Sequence, residues 1–514
     1  MLDRIRDRAT EDPNGLALVD DRRTMTWAEV VTSLDALAER FVDIAPRPDD
    51  RIAVVGENTI ETLLTHVACI GAGVGTVAVS RQLKPNEMAD QLVDSGSVAV
   101  VTGPVGLESA TGAANESGSK TVVVHGHTAV PGTVAWEDFV RPADGRISAA
   151  PESRPARPPL VYTSGTTGRA RGTQVRWLPH SVDTAREFAD AVSARSGYPD
   201  GVHLVVGPLQ HNGPLTSVRH LLSGRPVVIM GRFDAERTLA AIESHSVTST
   251  LMVPTHFQRL LALPHDVRSR YDTTSLKYVA HTGSACPPDV KRSMIDWFGP
   301  VLIESYGGSE IGTVCRIDST EWLEHPRSVG RAIPPFDAVV VGSDGTELGR
   351  GEVGVLGFRT PPERRIEYHA DPEKTAAAYI LPNVATLGDV GYVDDDGYVF
   401  ITDRVADMVV SGGVNLYPAE SERVLSTHPD VAEVAVIGVP DDDLGEALLA
   451  LVVPCTDSHV DVDDLAQFAK RSMASYKCPK KYVVVDELTR NAMGKLDKKA
   501  LRAPFWSTAR TIAG

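Results

Sequence analysis

The chain has 514 residues, too many for one compact core and enough for two or more domains at roughly 100–200 residues each. Its formal net charge is -17 and its pI about 5.4, an acidity that excludes non-specific attraction to nucleic acid or to an anionic membrane, since both need a basic surface. Any phosphate chemistry therefore has to come from local basic groups.

Cys69, Cys286, Cys315, Cys455 and Cys478 are scattered, with no CxxC pair and no nearby His at metal spacing, which reads as reduced thiols of a cytoplasmic protein. The opening MLDRIRDRATEDPNG lacks the apolar stretch of a signal peptide. The longest apolar run, Val67 to Val79, is glycine-rich and shorter than the ~20 residues that span a bilayer, so the expectation is a soluble chain without a membrane span.

Along the chain, RIAVV (51–55), VAVVT (98–102), KTVVV (120–124) and STLMV (249–253) read as strands, and 61–73 and 235–245 as helices. The alternation predicts α/β layers with mostly parallel sheet. A Pro- and Arg-rich connector, 151–159, leads into Leu160-Val-Tyr-Thr-Ser-Gly-Thr-Thr-Gly-Arg-Ala-Arg-Gly172. Here a short apolar strand runs into hydroxyls, glycines and arginines, a composition suited to phosphate because backbone N–H groups can turn inward and Thr163, Ser164, Thr166 and Thr167 add donors. A solvated Ser/Thr/Gly loop is the plain alternative, and no Walker A register fits.

Near residue 400 the texture changes. GYVDDDGYVFITDR predicts two short strands joined at Asp396-Gly397, and Pro418 with the acids after it predicts a helix start. EVAVIGVP and ALLALVVP predict further strands, so a smaller α+β unit is expected here. Gly349-Arg-Gly351-Glu-Val-Gly354 fits G-x-G-x-x-G, but a strand-like run follows it where a dinucleotide site needs a helix. The acidic runs 394–396 and 441–443 lack the ligand spacing of a calcium loop, and no G-x-S-x-G elbow is present.

With its 160–172 loop the chain resembles the adenylate-forming acyl- and aryl-CoA synthetases, and the resemblance covers nearly its whole length. Further segments match in order: Pro208-Leu-Gln-His211, Tyr306-Gly-Gly-Ser-Glu310, Leu387-Gly-Asp389, Asp403-Arg404, and Arg490-Asn-Ala-Met-Gly-Lys495-Leu. The family loop usually ends in Pro-Lys-Gly where this chain has Ala170-Arg171-Gly172, a swap that keeps charge but not shape.

The resemblance implies an α/β large N-terminal domain with parallel-rich sheets over residues 1–402, and a small mobile α+β C-terminal domain over 403–514, hinged at Asp403. It implies ATP, Mg²⁺ and coenzyme A as cofactors, with a carboxylic acid becoming acyl-AMP and then a thioester. Thr163, Ser164, Gly165, Thr166, Thr167, Gly168 and Arg171 would hold ATP phosphates, Tyr306 and Gly307 the adenine side, and Ser309 the α-phosphate. Glu310 and Thr167 would hold the metal, and Asp389 both ribose hydroxyls, a task suited to a carboxylate. Arg404 would sit near ribose or phosphates, and Lys495 would bridge the substrate carboxylate and the α-phosphate as the catalytic cation.

By the same resemblance His211 would belong to the acyl pocket, with 207–214, 253–257 and 281–287 lining it and Gly283, Ser284 and Ala285 also reaching the nucleotide. Ser411, Gly412, Gly413 and Tyr417 resemble the form that passes pantetheine, and Lys477, in a local basic cluster, would meet CoA phosphates, with a solvated charged face as the plain alternative. Val253, Phe257 and Ala285 suggest a hydrophobic acid, whether fatty, aryl or polycyclic. Rival readings are transfer to a carrier-protein phosphopantetheine and a half-reaction or non-catalytic homologue. The sequence allows a homodimer without specifying one.

Overall fold

The structure, a computed structural model, describes residues 2–119, 121–126, 130–141, 154–163, 171–178, 181–194, 197–369, 371–404, 407–411, 414–441, 444–456, 458–490 and 496–506. The chain forms two compact units, Met1–Asp337 with Thr360–Tyr379, and Ala338–Arg359 with Ile380–Gly514.

In the first unit, valine-rich runs become buried strands because neither sheet face meets water. One sheet runs Val134–Ala135, Thr121–Val124, Ser97–Thr102, Arg51–Val55, Gly75–Val79, Leu160–Thr163, Arg171–Gln174, parallel throughout except for the antiparallel last pair. A second begins Ser328–Ala332, Gly312–Asp318, Leu302–Gly308 and continues through the parallel strands Tyr278–His281, Val247–Met252, Val202–Val205, Val227–Ile229 and Leu16–Val19 to Thr24–Thr26. Helix Ile60–Ala72 is buried at every position, including Glu61 and His66, and joins the same apolar cluster as Leu34, Phe41 and Leu221. That burial on all sides explains why its sequence has no amphipathic stripe. The expected strands and the 235–245 helix form with boundaries shifted by at most two residues, the helix spanning Ala235–Ser244.

In the second unit, Asp337–Val341, Gly354–Arg359, Val384–Val393 and Tyr398–Arg404 pair in that order. The expected hairpin turns at Gly397, whose φ of +85° suits a residue without Cβ, while the Asp394 carboxylate accepts from Tyr398 N at 2.7 Å. The G-x-G-x-x-G run ends in strand Gly354–Arg359, so it lacks the helix of a dinucleotide loop. A separate sheet, Val414–Leu416, Val409–Ser411, Gly445–Pro454, Val431–Asp441, carries Lys481–Val484 parallel to Gly445–Pro454. Helices Pro418–Leu425 and Val462–Ser472 close its apolar core through Leu425, Leu465 and Ala469. Among the described residues no helix is long and apolar enough to cross a membrane.

Candidate active site

Strand Leu160–Thr163 pairs with Arg171–Gln174 in the register Thr163↔Arg171 and Tyr162↔Gly172. The Ser/Thr/Gly segment therefore leaves and rejoins the sheet edge at adjacent points. Ser164, Gly165, Thr166, Thr167 and Gly168, with the side chains of Thr163 and Arg171, lie outside the described residues. The exit strand is held from its other side, because His369 N donates to Gly172 O at 2.8 Å and Thr173 forms an antiparallel bridge with Tyr368.

The Pro208–His211 segment follows strand Val202–Val205, and His211 stands, half-buried, at the N-cap of the short helix Asn212–Leu215. Its position depends on a residue that the motifs do not reveal. Asn58 Nδ2 donates at 2.9 Å to Gly207 O and at 2.9 Å to Met230 O, while Asn58 Oδ1 accepts from Leu209 N at 2.9 Å. One amide thus satisfies three backbone groups of the loops around His211, which fixes their path. A polar residue just before a buried helix was the only signal in the sequence.

Gly283, Ser284 and Ala285 follow strand Tyr278–His281 and are exposed. Phe257, expected to line the acyl pocket, is wholly buried and packs edge-on against His281 with ring centroids 5.4 Å apart, so it backs the wall from within the core. Behind the same strand Lys291 Nζ meets Glu304 Oε2 at 2.5 Å, and burial pulls the Lys291 pKa down and the Glu304 pKa up.

Glu304 begins the approach to the Tyr306–Glu310 segment. Strands Leu302–Gly308 and Gly312–Asp318 pair as far as Gly308↔Gly312, so Ser309, Glu310 and the buried Ile311 form a tight connection. A Cβ on Gly307 would lie 2.0 Å from Gly312 O, which reserves that position for glycine. Arg364 clamps the turn, its guanidinium donating to Ile311 O at 2.5 Å and also to Leu178 O. Tyr368 Oη donates to Glu310 Oε1 at 3.1 Å, and burial, followed by the Glu310 charge, raises the phenol's pKa. Among the described residues no three His, Cys, Asp or Glu side chains converge as a metal cage. Mg²⁺ binds through one or two carboxylates together with substrate phosphates and keeps several waters, so Glu310 is the carboxylate here that could serve it.

In the second unit Asp389 and Arg404 face each other across the Val384–Val393 and Tyr398–Arg404 pair, with Arg404 Nε donating to Asp389 Oδ1 at 3.2 Å. Asp389 is buried and Arg404 largely exposed. The neighbouring Asp403 accepts from Arg404 N at 2.7 Å and from Ala419 N at 3.0 Å, and burial pushes its pKa up to about 6 despite those bonds. Its carboxylate therefore ties the end of the hairpin to the start of helix Pro418–Leu425.

Ser411 pairs with Val414 and Gly445, and Tyr417 is the N-cap of that helix, while Gly412 and Gly413 lie outside the described residues. Lys477 Nζ contacts Glu420 Oε2 at 2.6 Å, so part of the local basic cluster is neutralised within the unit. Lys495 lies outside the described residues, but Arg490 and Leu496 on either side of its segment form an antiparallel bridge, and Asp497 N donates to Thr489 O at 2.9 Å. The chain on the two sides of the lysine's segment is thus brought together by backbone pairing.

With this geometry established, comparison with known proteins assigns the chain. The family model of AMP-binding enzymes matches residues 5–362, and that of the AMP-binding enzyme C-terminal domain matches 420–495. A 3-[(3aS,4S,7aS)-7a-methyl-1,5-dioxo-octahydro-1H-inden-4-yl]propanoyl:CoA ligase from Rhodococcus jostii is 33% identical, over 95% of each chain. A feruloyl-CoA synthase from an Amycolatopsis species is 32% identical, over 97% of each. The solved o-succinylbenzoate CoA synthetase of Bacillus subtilis, in complex with its acyl-adenylate intermediate, superposes with a TM-score of 0.78 at 26% identity, covering 97% of each chain. The chain belongs to the AMP-binding enzyme family, as an adenylate-forming acyl- or aryl-CoA synthetase that uses ATP, Mg²⁺ and coenzyme A.

Proposed function

We propose that this enzyme activates a hydrophobic, ring-bearing carboxylic acid as its acyl adenylate and passes the acyl group to free coenzyme A. The observation that carries the substrate class is that the Rhodococcus and Amycolatopsis relatives, similar over nearly the whole chain, are CoA ligases of ring-bearing acids. The half-buried, apolar Val253 agrees with such a substrate.

In this reading the Thr163–Arg171 segment and Ser309 hold the ATP phosphates, Tyr306 lies by adenine, and Asp389 accepts the ribose hydroxyls. Glu310 and Thr167 hold Mg²⁺, which supplies charge neutralisation of the triphosphate. Lys495 orients the substrate carboxylate so that its oxygen attacks the α-phosphorus as the bond to pyrophosphate breaks. His211 and the 207–214 loop, fixed by Asn58, position the acyl group. The CoA sulfur then attacks the acyl carbon, its proton is lost, and AMP leaves.

Residues 403–514 act as the mobile domain hinged at Asp403, with Lys495 serving the first step and Ser411–Gly413, Tyr417 and Lys477 the second. The five free cysteines support a cytoplasmic location, and light scattering distinguishes a homodimer from a monomer.

The test is ATP–pyrophosphate exchange on aliphatic, aryl and polycyclic acids, with CoA and a phosphopantetheinylated carrier protein offered as acceptors. Ring-bearing acids should support exchange and yield CoA thioester, and Lys495→Ala should lower exchange by about 10²–10³ or more. Exchange with acyl transfer only to the carrier, or with straight-chain acids alone, would overturn the proposal.

A further inference from the structure

Segment Thr360–Tyr379 belongs to the first unit although the chain on both sides of it belongs to the second. Within it, Tyr368 is fixed at four points. Its amide donates to Thr375 Oγ1 at 3.0 Å, its backbone bridges Thr173, its ring carries Lys374 Nζ 4.1 Å from the centroid, and its hydroxyl donates to Glu310 Oε1 at 3.1 Å. Thr173 lies in the exit strand of the phosphate loop. Asp371 caps helix Pro372–Ala377 through Lys374 N at 2.9 Å, which sets the turn that presents Thr375 and Lys374 to the ring. One residue thus connects the strand leaving the phosphate loop with the carboxylate expected to hold magnesium.

We infer that Tyr368 is a positioning residue for magnesium binding: its hydroxyl holds Glu310 Oε1, so that Oε2 would be the oxygen left for the metal. The inference rests on the reading of Glu310 as the magnesium carboxylate. A carboxylate on a short turn can rotate freely, and one fixed donor removes that freedom before the metal arrives. Partners of this kind typically change metal affinity by about 10–100-fold when removed.

The test is binding rather than turnover, so it needs no knowledge of the acid. Calorimetric titration of α,β-methylene-ATP into the full chain, in EDTA and across a magnesium series, gives the gain in affinity that magnesium supplies. Tyr368→Phe keeps the ring and its contact with Lys374 and deletes the hydroxyl alone. It should lose about tenfold or more of the magnesium-dependent gain, with affinity in EDTA and melting temperature unchanged; Glu310→Gln should lose at least as much.

If Glu310→Gln loses the gain and Tyr368→Phe keeps it, the inference fails and the reading of Glu310 stands. If both variants keep it, or magnesium gives the unmodified chain no gain, the reading of Glu310 falls and the inference with it. A Tyr368→Phe chain weakened equally in EDTA and in magnesium would reduce Tyr368 to a structural tie, which also overturns the inference.

Discussion

Lys291→Met removes one half of the ion pair behind strand Leu302–Gly308. Lys291 is wholly buried, with Nζ 2.5 Å from Glu304 Oε2 and 4.7 Å from the centroid of the Trp322 ring. Methionine fills the space of the stem but leaves Glu304 facing His281, whose Nε2 lies 3.7 Å from Oε2 and whose ring burial holds neutral. Uncompensating a buried charge in this way costs about 3–5 kcal/mol. At about 2 °C per kcal/mol for a unit of this size, the melting temperature should fall by about 6–10 °C.

The pH dependence separates this cause from lost packing. Burial raises the folded pKa of Glu304 above its ordinary value of 4.5, and more so without the ammonium, so the folded variant binds a proton that the unfolded chain releases. Its deficit is therefore small near pH 4.5 and grows with pH by up to about 1.4 kcal/mol per unit until the folded pKa is passed. Scanning calorimetry of the two chains at pH 5 and pH 8 measures this directly. Adding Glu304→Gln should recover most of the loss at pH 8. A deficit equal at both pH values, or no recovery in the double variant, would refute the reasoning.

Two other predictions concern different parts of the molecule. Burial depresses the pKa of His66 and of His203 to about 3, so each stays neutral in the fold while the unfolded chain protonates near 6.5; stability present above that pH is lost as pH falls toward 3. His203→Phe should make the acid limb of a stability-versus-pH curve shallower by about 1.4 kcal/mol per unit, read by urea unfolding between pH 6 and pH 4. Asp389→Ala should raise the ATP KM in the exchange assay by about tenfold or more, since hydrogen bonds to a charged acceptor contribute about 1.5–3 kcal/mol each, and an unchanged KM would remove Asp389 from the ribose.

The layers of the fold were legible because buried parallel strands need continuous β-branched runs, as in Arg51–Val55 and Ser97–Thr102, and those runs have few other uses. The Gly397 turn and the Pro418 helix start were legible because their chemistry is local. Asn58 and Tyr368 were not. Asn58 acts on Gly207 across 149 positions and Tyr368 on Glu310 across 58, and no local rule makes either residue type unusual where it stands. The family's motif segments were recognisable through their order along the chain, whereas the inward burial of Phe257 depends on packing against His281, which residue type does not encode.

The way the two units share the chain restricts how the protein can be cut. A fragment ending at 337 loses Arg364 from the Ile311 turn, Tyr368 from Glu310, and the bridge to Thr173. A fragment ending at 379 keeps those contacts but carries strand Gly354–Arg359 without Val384–Val393, stripping the cover from Leu356 and Phe358. Neither large piece is a self-sufficient recombination block, and an apolar strand left with one open edge in this way invites association. Exchange of parts between relatives should therefore splice beyond Arg404, where the hairpin that completes this sheet has already closed.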